Sequence, residues 1–358
     1  MNVSPPVALG AFDASIEFGQ SFSQCSPTVQ ADIISFMAHI QENEPPKDLV
    51  SRRLIDEKLD FIQQILDQVP PKESLVLKSI HFAVLLHMPK TCLECYANHV
   101  ELDLGSVLLD IENLVQRRFS DLKARPIIPS PESQKCHEYD NKLCIITGFG
   151  GSAPYNIFAF NPNAELASRY PYNFQLIEQL LGFYHPPPDP FYPCGLDRLQ
   201  EELRTPNSYW NMITMSPNLG QMWASGLFAL KWITNREIFD SSHLRTGKSR
   251  IKLHFVWMPC NSHRRRQSSI LQLEEAYNLV AELQHQWGRE APPFACTIPD
   301  CSDCKSTKAF SAHNCDTGRP IRSGDIFYII RDTVDLLPCR FAFDIQWALS
   351  YAYAVSGQ

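Results

Sequence analysis

The chain has 358 residues, a formal net charge of −7 and 44% hydrophobic residues. That length suits two domains of ordinary size. The acidic balance argues against nucleic acid, whose phosphates call for clustered Lys and Arg; the best basic run, His263-Arg264-Arg265-Arg266, reads as a solvated loop. No leader of basic, apolar and then small residues opens the chain, and no apolar run approaches the ~20 residues of a membrane span. The expected location is intracellular, in the cytoplasm, with the 12 cysteines as reduced thiols.

Residues 1–27 show no period and read as a loose lead-in. An α-helical unit is expected over 28–124. Ile55, Leu59, Ile62, Leu66 and Val69 recur at steps of four and three, which places them on one helix face stopped by Pro70-Pro71. Ser74 to Met88 and Leu104 to Leu122 predict two more helices. The stretch 125–134, with Pro126, Pro129 and Pro131, reads as a linker.

From 135 to 358 the pattern is mixed. Leu143 to Ile146 predicts a short strand, and Ser216-Pro217 a helix start, with Ser capping free N–H groups and Pro in the first turn. Ile251, Leu253, Phe255 and Trp257 alternate as in a strand. Ile326 to Ile330 predicts another, and Phe343 to Ala354 a closing helix. The fold class is therefore α+β.

Several blocks stand in a telling order: Cys144-Ile145-Ile146-Thr147-Gly148, Pro154-Tyr155-Asn156-Ile157, Asn211 through Trp223, and Gly226 through Lys231. His313 to Asp325 and the tail from Gln346 to Gly357 extend them. Together they resemble the HNH-nuclease-like domain common in fungal proteins, over roughly residues 135–358. The resemblance implies a ββα core in which a hairpin His acts as general base, a helix His ligates a divalent ion, and a central Asn orients the base. Here Asn156 stands at the first His position and Gly220 at the last, while Asn211 matches the central Asn. Asn156 cannot take a proton at any useful pH, and Gly220 has no ligand atom. Asn211 alone reads as structural, since such an amide near a hairpin satisfies local backbone groups.

The nearby acid–base candidates are His137, Glu138, Asp140 and His185, and the catalytic set drawn from the resemblance is Asn156, Asn211, His137 and Glu138. Tyr155, Phe158, Asn218, Gly220, Gln221 and Trp223 form the expected ligand-binding set, on the view that a lost His leaves room for an uncharged organic molecule. A separate group, Cys301, Cys304, His313 and Cys315, has the residue types of a structural zinc site, with Cys296 one ligand too many. No cofactor is expected at the HNH-like site itself.

The resulting expectation is a degenerate HNH-like protein without nuclease activity. Its former cleft would bind a small molecule, as an isomerase, cyclase or lyase of fungal secondary metabolism. Two alternatives stand beside it: a non-catalytic protein-interaction module, and a residual nuclease with a metal displaced onto His137, Glu138, Asp140 or His185.

Overall fold

The computed structural model describes residues 24, 26–27, 29–30, 52–68, 78–98, 104–120, 126–158, 208–258 and 312–356. The chain divides into two compact units, Met1–Glu42 and Asn43–Gln358, and every element below belongs to the second. The lead-in over 1–27 and the helices expected around Phe174 and Leu273 lie almost wholly outside the described residues.

From residue 52 on, the described residues first form four helices: α1 (Arg52–Gln68), α2 (Ser79–His87), α3 (Lys90–Asn98) and α4 (Leu104–Ser120). α2 is apolar on every side, with Ile80, Phe82, Ala83, Val84, Leu85 and Leu86 all buried. A helix of that kind must sit inside. α1 offers Leu59, Ile62 and Ile65 to the same core, and α4 offers Leu108, Ile111 and Val115. Pro89 separates α2 from α3, and the Cys92–Cys95 pair lies on α3.

The α2 start carries a buried polar network. Glu112 of α4 accepts from Lys78 Nζ at 2.8 and 2.9 Å and bonds His81 Nε2 at 2.9 Å. Lys78 N–H donates to His81 Nδ1 at 3.3 Å, which leaves Nε2–H to donate to Glu112.

The expected linker at 125–134 is corrected: its last four residues open α5 (Pro131–Tyr139). Ser130 caps that helix by accepting from Ser133 N–H at 3.1 Å, with Pro131 in the first turn. The strand expected at Leu143–Ile146 is a set of turns instead. Asn141 and Lys142 just before it take positive φ, and Gly148 N–H folds back onto Cys144 O within it at 2.9 Å, a turn bond in place of a ladder.

Two small antiparallel sheets follow. β1 (Ala153–Asn156) pairs with β2 (Met212–Met215) with Tyr155 opposite Ile213 and Asn156 opposite Met212. After Ser216, β2 runs into α6 (Pro217–Ala224). Ser216 sits at the N-cap but its side chain makes no capping bond. Gly226 follows the end of α6 by two residues; its φ of +69° suits glycine, and a Cβ there would press on Tyr353 at 2.9 Å and Phe119 at 3.0 Å.

The second sheet has the order β3 (Phe228–Phe239), β4 (Arg245–Trp257), β5 (Ile326–Asp332). Phe228, Leu230 and Trp232 of β3 join Ile251, Leu253 and Phe255 of β4 and Phe327 and Ile329 of β5 in the core. α7 (Leu336–Val355) closes the unit and adds Phe341, Phe343, Ile345 and Leu349 to it. The helices of the N-terminal third and both sheets thus share one hydrophobic cluster. Among the described residues no helix is long and apolar enough to cross a membrane.

Candidate functional site

The ribbon β1–β2, the turn before β2 and the helix α6 hold Asn156, Asn211 and Gly220. Asn211 lies in a single 3-10 turn (Tyr209–Asn211) just before β2 and is fully buried. Its Oδ1 accepts from Phe158 N–H at 3.0 Å, and its Nδ2 donates to Phe158 O at 2.7 Å. Ile157 N–H donates to Asn211 O at 2.8 Å. This amide fastens the chain leaving β1 to the chain entering β2. It has the local backbone-satisfying role the sequence suggests.

Gly220 departs from expectation. An added Cβ would strike the Tyr155 ring at its Cζ and Cε1 and would meet Oη at 2.7 Å. Tyr155 is 4% exposed and Gly220 is buried. The space expected beside Gly220 is therefore filled by the phenol of Tyr155. Glycine is needed here because an aromatic ring is seated against the helix backbone. Burial also pushes the Tyr155 phenol pKa up.

The other expected ligand contacts divide by burial. Phe158 and Trp223 are buried core side chains, and Trp223 Nε1 donates to Asn156 O at 3.2 Å. Asn218 and Gln221 are exposed, so they do not line an enclosed wall with them. Asn156 is half-buried, and its Oδ1 is buried without a hydrogen-bond partner. His137, on α5, has its Nε2 in the same state, whereas Glu138 is exposed. No side-chain hydrogen bond joins either of them to Asn156 or Asn211 among the described residues.

Asp140 belongs to an internal ion pair. Its Oδ1 accepts from Arg331 Nη1 at 2.9 Å, both side chains being fully buried. Its Oδ2 accepts from Thr214 N–H at 2.8 Å. Arg331 Nη2 also donates to Met212 O at 2.5 Å. Burial lowers the Arg331 pKa, but the Asp140 charge outweighs it and the net shift is upward. The pair ties α5, β2 and β5 together.

Sequence reasoning missed a second polar group beside it. Asp332 accepts from Lys135 Nζ at 2.9 Å, from Tyr209 Oη at 2.7 Å and from Tyr139 Oη. Tyr209 Oη also lies 2.5 Å from an Asp335 carboxylate oxygen, so its single proton is shared between the two carboxylates, and Lys135 Nζ stands 3.6 Å from the Tyr209 ring centroid. Burial penalises the Asp332 carboxylate, yet the bonds from Tyr139, Lys135 and Tyr209 outweigh it and hold its pKa at about 2. Burial and the bond to Asp332 raise Tyr139 to about 12. For the Asp140–Arg331 pair one signal was legible: Arg331 stands in phase with Phe327 and Ile329 along β5. A charge at an inward strand position demands a buried partner.

The expected zinc ligands are not brought together among the described residues. Cys301 and Cys304, like His185, lie outside them. His313 and Cys315 are exposed, and His313 forms an isolated bridge with Pro320. Cys315 N–H donates to Thr147 O at 2.7 Å, which joins two of the motif blocks. Among the described residues no group of three His, Cys, Asp or Glu side chains is placed to hold a metal ion.

No protein-family model, curated protein or solved structure matches this chain.

Proposed function

We propose that this chain is an HNH-like protein without nuclease chemistry that works as a non-catalytic interaction module. The order of strand, strand and helix, with α6 leaving β2 after one residue, supports the likeness to a ββα core. The observation that carries the functional reading is the Tyr155 ring packed on Gly220. In the family's arrangement a metal-ligating His would project from the position Gly220 holds. Here that volume belongs to the hydrophobic core, and Asn211 is engaged by the Phe158 backbone.

The test is incubation of the full chain with plasmid, linear duplex and single-stranded DNA in the presence of Mg²⁺, Mn²⁺, Ni²⁺ or Zn²⁺. No cleavage above a metal-free control is expected. Metal-dependent cutting that disappears in Asn211→Ala would overturn the reading.

The orphaned Asn156 Oδ1 favours a second reading, in which a small organic molecule with a donor group binds at the ribbon. An isomerisation, cyclisation or elimination would then run on positioning and a few hydrogen bonds. Native mass spectrometry of the purified chain tests it. A stoichiometric adduct lost in Asn156→Ala supports it, and its absence leaves the interaction reading alone.

A further inference from the structure

α4 carries two buried charges that the fold treats differently. Leu108, Ile111 and Val115 form its inward stripe at steps of three and four, and Arg118 continues that stripe three residues on. Glu112, beside the stripe, is buried and answered by Lys78 at 2.8 Å, His81 at 2.9 Å and Gln116 at 2.9 Å. Arg118 is 6% exposed, and its Nε is buried without a hydrogen-bond partner. Among the described residues no carboxylate pairs with its guanidinium.

Arg331 shows how a buried guanidinium is satisfied in this fold. Its Nη1 meets Asp140, its Nη2 meets Met212 O, and the Asp140 charge carries its pKa upward. At Arg118 burial acts alone and pushes the pKa down to about 10. An uncompensated buried charge is among the costlier things a fold can hold. Position offsets part of that cost, since Arg118 lies in the last turn of α4, where free carbonyls favour a cation. The surroundings are aromatic. Arg118 Cζ stands 5.4 Å from the Phe119 ring centroid, and Phe119 stacks on Tyr353 of α7 at 4.3 Å. Both rings press on the chain at Gly226, where a Cβ would not fit.

From the buried, unpartnered guanidinium of Arg118 beside the Phe119–Tyr353 stack, we infer that this end of α4 binds a small organic carboxylate. A carboxylate accepts two parallel N–H bonds from the planar fork and cancels its charge. A phosphate dianion would set a second negative charge against the free carbonyls that end α4. The depth of the guanidinium selects a small molecule over a flat protein surface. The stacked rings suit an apolar or aromatic body on that carboxylate. The inference goes beyond the interaction-module reading and does not depend on it, because none of these residues belongs to the β1–β2 ribbon or to α6.

The test is thermal unfolding of the dialysed full chain with sodium benzoate, with benzamide as its neutral match, and with inorganic phosphate at equal ionic strength. Benzoate should raise the midpoint in a saturable way, and benzamide and phosphate should not. Arg118→Met should abolish the benzoate shift. Arg118→Lys, which keeps the charge without the planar fork, should weaken binding about tenfold. Without benzoate, Arg118→Met should unfold at or above the wild-type midpoint, because it removes an unanswered charge. That result also shows the variant to be folded. Asn156→Ala, which probes the ribbon, should leave the benzoate shift unchanged. No saturable shift in the wild type overturns the proposal, as does a shift that Arg118→Met keeps or Asn156→Ala loses. An equal shift with phosphate or benzamide overturns the carboxylate assignment. A lower midpoint for Arg118→Met without benzoate overturns it too, since the guanidinium would then hold a partner inside the chain.

Discussion

The β1–β2 ribbon and the β3–β4–β5 sheet treat polar side chains in opposite ways. In and around the ribbon, Asn211, Asp140 and Arg331 are fully buried and each makes at least two hydrogen bonds to named partners. On the outer face of the sheet, Arg236, Lys248 and Arg250 are exposed without ion-pair partners among the described residues. A buried group without partners is costly, so these three residues are explained by the fold that holds them, whereas the buried Asn156 Oδ1 of the ribbon is not. Exposed cations facing one another are not explained that way. The turn and helix that hold Asn211 and Gly220 are thus accounted for by packing and internal hydrogen bonds, and the exposed cations of the sheet are not.

The sharpest way to break this contrast is at Asp140. Asp140→Ala would leave Arg331 buried without its counter-charge, and an uncompensated buried charge costs roughly 3–5 kcal/mol. The expected outcome is a large drop in the urea midpoint with an unchanged slope. Asp140→Ala combined with Arg331→Met should recover much of it, because the unpaired charge is then gone. A loss below about 1 kcal/mol in the single variant would mean that the pair is solvated and the ribbon is not the packed unit described.

Gly220 comes next. Gly220→Ala pushes a methyl group into the Tyr155 ring, and overpacking of this kind costs roughly 1–3 kcal/mol. Tyr155 is too deeply buried to swing aside. Tyr155→Ala should make a second change at Gly220→Ala nearly neutral, a coupling that a double-mutant cycle reads directly. If Gly220→Ala were neutral in the wild-type background, the space would be open after all and the small-ligand reading would gain.

What was legible in the sequence follows from period and chemistry. The strands around Leu253 and Ile329 and the closing helix showed themselves because apolar residues recur at two or about four positions and the core accepts them. Asn211 was legible as a backbone fastener. Leu143–Ile146 misled because a short apolar run does not distinguish a strand from buried turns; Cys144 and Ile146 are buried all the same. α5 was hidden by three prolines that suggested a linker, although Ser130-Pro131 is itself a helix start. Gly220 misled for a deeper reason. One strand cannot announce that Tyr155 will lie across α6, since that contact spans more than sixty residues of sequence. The cationic face escaped notice because its members are spaced along two strands and gathered only by pairing, not by a run.

A third prediction uses pH. The Asp332 carboxylate, half-buried, is depressed to about 2 from its usual value of 3.8. A depressed carboxylate contributes stability that is present above the unfolded pKa and is lost as pH falls through the folded one. About 1–2 kcal/mol should therefore disappear between roughly pH 4 and pH 2. Tyr209 is shifted upward, burial first and the bonds to Asp335 and Asp332 after it. Its contribution is present below the ordinary phenol pKa of about 10 and fades as pH rises beyond it. Asp332→Asn should lower stability at pH 7 and flatten the acid limb of a pH–stability curve. An acid limb of unchanged depth would show that the Lys135–Tyr139–Tyr209–Asp332 group contributes nothing.

The smallest expected effect is the most discriminating for the sheet. If Arg236 has no structural duty, removing it should leave the fold within about 0.5 kcal/mol of the wild type. The sign should even be favourable at low ionic strength, because Arg236→Ala relieves the charge that faces Arg250 across the β3–β4 pair. That gain should vanish at high salt, where a Debye length of a few ångströms screens exposed charges. Urea denaturation at 20 mM and 500 mM KCl reads both terms. A loss above 1 kcal/mol at either salt would mean that Arg236 holds something inside the protein. The outer face would then be structural like the ribbon, and the contrast between the two regions would collapse. A small, salt-sensitive gain would leave an arginine kept at a cost to stability, and such a residue is explained by what it binds.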